Sequence, residues 1–97
     1  MPTYITLYKW TEQGIKNVKA APARIKESIK SAEAAGAKIF GVYVTMGQYD
    51  LVSIYEAPND EAVAAVMLSQ GMQGNVQSTT LKGFTVEQFA EIVKKLP

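Results

Sequence analysis

The sequence predicts an α+β fold, with one antiparallel sheet and helices laid against it. Two observations carry this reading. Stretches rich in β-branched and aromatic residues alternate with stretches that bear helix caps and helical apolar spacing. Their order is strand, helix, strand, strand, helix, strand, then a final helix. At 97 residues, 47% of them apolar, the chain suits a single domain spanning 1–97 with its own core.

The first strand is Thr3–Trp10 (TYITLYKW). Ile5 and Leu7 point to one side, and Tyr4, Thr6, Tyr8 and Trp10 to the other, so neither side is plainly a water face. Thr11 caps a short turn beginning at Glu12, where a carboxylate suits the positive end of the dipole. Pro22 suits the first turn of the next helix. Ile25, Ile29 and Ala32 share one of its faces, and Gly36 ends it. Residues 39–46 and 49–57 form a hairpin across Gly47-Gln48. A two-residue loop sets Val44 opposite Leu51 and Met46 opposite Tyr49. It places Phe40, Val42, Val44, Met46, Tyr49, Leu51, Ser53 and Tyr55 on one face. Ile39, Gly41, Tyr43, Thr45, Asp50, Val52, Ile54 and Glu56 take the other face. A three-residue loop would exchange one strand's faces against the other's.

Asn59 or Asp60 caps the next helix, with Val63, Val66 and Met67 as its inward stripe and Gly71 or Gly74 as its stop. Residues 76–81 form a Thr-rich fourth strand. Thr85 and Gln88 make a capping box, Phe84 and Phe89 occupy staple positions, and Phe89, Ile92, Val93 and Leu96 form the last helix's apolar side. This is the ferredoxin-like βαββαβ order with an extra C-terminal helix. Such a sheet covers one face with helices, yet these strands lack a polar second face. A second copy of the chain is the economical cover, so a homo-oligomer, dimer or higher, is expected. The final helix is expected to cover part of that second face, but one short helix cannot easily cover four strands.

Composition excludes several chemistries. No Cys removes disulfides and thiolate nucleophiles, and no His removes the commonest general base and metal ligand. No metal site, haem or other cofactor is expected. Net charge is +1. Residues 1–38 carry seven Lys or Arg against three Glu, and beyond Trp10 no aromatics interleave with them to stack bases, so nucleic acid is not expected as a partner. The uncharged stretch 62–81 is too polar for a membrane span, and the start lacks a signal-peptide pattern, so a cytoplasmic protein is expected.

The segment Thr45-Met46-Gly47-Gln48-Tyr49-Asp50-Leu51-Val52, followed by Glu56-Ala57-Pro58-Asn59-Asp60-Glu61-Ala62, resembles the GYD domain family and its Gly-x-Tyr-Asp signature. The likeness extends through Gly74-Asn75-Val76 to Phe84-Thr85, and upstream to Tyr8-Lys9-Trp10-Thr11-Glu12-Gln13-Gly14-Ile15. It implies a ferredoxin-like domain of the type that pairs into dimeric α+β barrels, and no established activity.

Two groups of residues are candidate binding sites. Asp50 is placed to accept hydrogen bonds from a ligand, with Tyr49 as a pocket wall; otherwise Tyr49 packs and Asp50 ties loop N–H groups. Tyr8, Trp10 and Tyr43, with Tyr4, Thr6 and Tyr55, would suit a small, partly apolar ligand, or equally an interface. The expected function is a homo-oligomeric module that binds a small molecule in an intersubunit or sheet–helix pocket. The alternatives are a cofactor-independent oxygenase or isomerase, resting on Asp50, Glu56, Tyr43 and Asn75, and a purely structural assembly protein.

Overall fold

Thr3–Trp10 forms β1, and Thr11 then caps α1 (Glu12–Lys16) by accepting the Gly14 N–H at 3.0 Å. The structure, a computed structural model, describes residues 1–97. A short 3-10 turn, Val18–Ala20, leads into α2 (Ala21–Ala34), which carries Pro22 in its first turn. Gly36, at φ +97°, makes the left-handed stop that the sequence predicts. β2 (Lys38–Val44) and β3 (Leu51–Glu56) form the hairpin. α3 (Asp60–Gln73) is capped by Asn59, whose Oδ1 accepts the Ala62 N–H at 2.9 Å, and ends at left-handed Gly74. β4 (Val76–Gly83) and α4 (Val86–Val93) complete the chain, and the Thr85–Gln88 capping box is formed.

The sheet is antiparallel throughout, in the order β2-β3-β1-β4. The fold is α+β and ferredoxin-like. Register places Tyr4 beside Tyr55 and Lys82, Thr6 beside Ser53 and Thr80, and Tyr8 beside Leu51 and Ser78. This tyrosine and hydroxyl face lies under α2 and α3. Its core is small: Tyr4, Tyr55, Ala57 and Val63, with Ile39 and Met67 packed against it. The Tyr4 and Tyr55 rings stack at 5.7 Å between centroids.

Three details depart from the sequence expectation. Val44 does stand opposite Leu51, but the strands stop there and residues 45–50 form the connection. Thr45 ties it, donating its N–H to the Asp50 carbonyl at 2.8 Å and its hydroxyl to the Tyr49 carbonyl at 2.6 Å. Met46, expected to pair across the hairpin, is 98% exposed. Secondly, the register shifts between Ile39 and Gly41, so Ile39 rather than Phe40 lies opposite Tyr55 on the helix-covered side. Thirdly, α4 does not fold back over the sheet: every residue of it is exposed, and the molecule measures 52 × 30 × 20 Å.

Candidate functional site

α2 packs toward β2 and α3 toward β4, so the two helices stand apart over the middle of the sheet. Between them and the sheet lies a cleft of about 580 Å³, most of whose lining is apolar. Tyr8, Leu51, Ser53 and Tyr55 form its floor. The α2 face predicted from Ile25, Ile29 and Ala32, and the α3 stripe of Val63, Val66 and Met67, form its sides. Trp10, Gln73, Asn75 and Val76 also line it.

Polar atoms are few here and unusually bare. Arg24 Nη2, Ser53 Oγ and Gln70 Oε1 are buried and make no hydrogen bond, and all three residues line the cleft. Ser53 is only 8% exposed. Close by, Thr6 Oγ1 shares hydrogen bonds with the Tyr55 hydroxyl at 2.8 Å and the Thr80 hydroxyl at 3.1 Å. Burial pushes the Tyr8 phenol above its ordinary value; the Ser53 and Gln70 side chains approach it and act the other way without completing a hydrogen bond to it, as does Thr6. Burial likewise raises Tyr55, opposed by the hydroxyls of Thr6 and Thr80. The cleft therefore holds uncharged phenols and a hydroxyl below an arginine. It can offer hydrogen bonds to a ligand with an apolar body.

The residues singled out from the sequence come together only in part. Tyr8 and Trp10 line the cleft. Asp50 serves β1 instead: its Oδ2 accepts the Trp10 N–H at 2.9 Å, and its own N–H donates to the Tyr8 carbonyl at 2.8 Å. Tyr49 is half-buried, with the Lys9 ammonium 5.5 Å from its ring centroid. Tyr43 lies on the opposite face beside Val52, 61% exposed, with its ring over Gly41. Sequence reasoning missed Arg24, Ser53 and Gln70. A signal existed for two of them: Ser53 interrupts an apolar strand, and Arg24 is the only arginine in the chain.

The opposite face carries Ile5 beside Ile54 and Leu81, and Leu7 beside Val52. No helix covers it. Leu81 is 47% exposed, and the α4 side chains Phe89, Ile92 and Val93 are 59%, 41% and 43% exposed. No helix is long and apolar enough to cross a membrane.

A family model described as GYD domain matches residues 4–93. A protein of Thermus thermophilus, named glutamine synthetase and cystathionine beta-lyase binding protein, is 33% identical over 97 residues, 99% of this chain and 99% of its own. Among solved structures, FFRP-DM1 matches with a TM-score of 0.56 at 16% identity, over 87% of this chain and 100% of its own. TTHA0845, also from Thermus thermophilus, matches with a TM-score of 0.52 at 22% identity, over 88% and 95%. At such identities the two structures speak for the fold alone.

Proposed function

The chain belongs to the GYD domain family, and from that premise we propose a homo-oligomeric binding module that takes a small molecule in the cleft between sheet and helices. The observation that carries this reading is the trio of buried, unpartnered polar atoms, Arg24 Nη2, Ser53 Oγ and Gln70 Oε1, in a mostly apolar cleft. Each such atom costs on the order of 1–3 kcal/mol while it lacks a partner, and a ligand that supplies the partner recovers it. The volume also suits a small ligand. Binding is favoured over proton transfer because Glu27 is the one carboxylate lining the cleft, and it is exposed on α2 with no second acid beside it there.

Ser53→Ala tests the reading. The variant removes one unpartnered atom, so the ligand-free protein gains about 1 kcal/mol against denaturant. The small molecule carried by wild-type protein through native purification, read by native mass spectrometry, falls away in the variant. Wild-type protein that carries no added mass, together with a variant of unchanged stability, overturns the reading.

The name of the Thermus thermophilus relative favours a second reading, in which the module also binds an enzyme of the glutamine synthetase or cystathionine beta-lyase kind. The apolar side of α4 is the surface available for it.

A further inference from the structure

We infer that the cleft takes a small organic monocarboxylate with an apolar body, its head group held on the Arg24 side. The inference rests on the cleft being a binding site, as proposed above, and adds the class of ligand. Arg24 is the only cation that lines the cleft. Its Nη1 donates to the Asn17 carbonyl over a long 3.4 Å, while its Nη2 is buried and unpartnered. No carboxylate pairs with it; the ion pairs of the molecule are Lys16–Glu12, Lys82–Asp60 and Lys94–Glu91.

A guanidinium stays charged at any working pH and can only donate. Arg24 is half-buried, and the one guanidinium nitrogen that is buried has neither an acceptor nor a counter-charge, so an anion is the partner this side of the cleft lacks. The Ser53 hydroxyl and the Tyr8 phenol add donors, and the Gln70 amide presents either an acceptor or a donor. Most of the remaining surround, Trp10, Leu51, Val63 and Met67 among it, suits hydrocarbon or an aromatic ring, while Glu27, exposed on α2, is the one anion in the lining. One arginine set among apolar walls fits a carboxylate better than a phosphate, which recruits several cations or backbone N–H groups.

Trp10 is the only tryptophan in the chain and lines the cleft, so its fluorescence reports occupancy. Titration of the intact protein with octanoate, 1-octanol and inorganic phosphate tests the inference. Octanoate is expected to give a saturable change, octanol to bind at least about tenfold more weakly, and phosphate to do nothing. Arg24→Met keeps most of the apolar stem. It should weaken octanoate by about tenfold or more and leave octanol unchanged, which also shows the variant to be folded. Equal binding of octanoate and octanol, indifferent to the substitution, overturns the anion inference while leaving the binding site standing. Failure of both to bind overturns the site itself. A response to phosphate alone overturns the apolar body.

Discussion

The Tyr4 hydroxyl donates to Asp60 Oδ1 at 2.5 Å, and the Lys82 ammonium reaches the same oxygen at 3.1 Å. Ionising Tyr4 would break that bond and set two anions side by side, so the phenol is pushed from 10.0 up to about 12. The same bond, with Lys82, holds Asp60 below its ordinary value. The signs differ. Tyr4's contribution to stability is complete below about pH 10 and is lost as pH rises toward 12. That of Asp60 is present above the ordinary carboxylate range and is lost as pH falls through its depressed value. Denaturant stability should therefore fall above about pH 10, and in Asp60→Asn tyrosinate absorbance should rise at lower pH than in wild type. An unmoved alkaline edge in that variant would refute the coupling. Nothing in the sequence joins Tyr4 to Asp60, because the pair is made by the turn into α3. Asp50 was legible as a structural or a ligand-binding carboxylate, and only the approach of β1 decides that its partner is the Trp10 N–H.

At the scale of elements, the α1 turn is pinned to the loop that follows α3. Thr11 donates its N–H to the Asn75 carbonyl at 3.1 Å and its hydroxyl to the Gly74 carbonyl at 2.5 Å, and Gln13 donates to the Gln73 carbonyl at 2.9 Å. Gly14 is buried there, and a Cβ on it would strike the Asn75 carbonyl. Gly14→Ala should lose about 2 kcal/mol or more in urea unfolding. Gly71→Ala, open on α3, should be neutral or gain up to about 1 kcal/mol; equal effects would contradict the docking. Caps and stops were legible because they are local chemistry: Thr11 and Thr85 cap where the sequence predicts, and Asn59 and Gly74 are each one of the two positions it offered. The shift at Ile39 was not. Ile39 and Phe40 are both apolar, and which one turns inward is settled by the space beside Tyr55.

For the whole molecule, the division of faces runs against the usual expectation. Hydroxyls and phenols lie beneath the helices, while the aliphatic face of Ile5, Leu7, Val52 and Ile54 has no cover. The sequence showed that both faces were apolar or aromatic; it could not show which one the helices take, since that follows from how α2 and α3 cross over. We propose sheet-to-sheet pairing of two copies across the aliphatic face, with about 800 Å² covered on each. Wild-type protein should then run as a dimer or larger in size exclusion with light scattering, and Leu7→Lys as a monomer. A wild-type monomer at micromolar concentration would end the proposal.

One consequence attaches to α4. Its capping box is complete, yet it spans eight residues and rests on nothing. A helix that short has too few hydrogen bonds to offset its nucleation cost alone. Its persistence is thus linked to whatever partner meets Phe89, Ile92 and Val93, so removing that partner should also unwind it. Helix content at that end of the chain then becomes a gauge of whether that partner is bound.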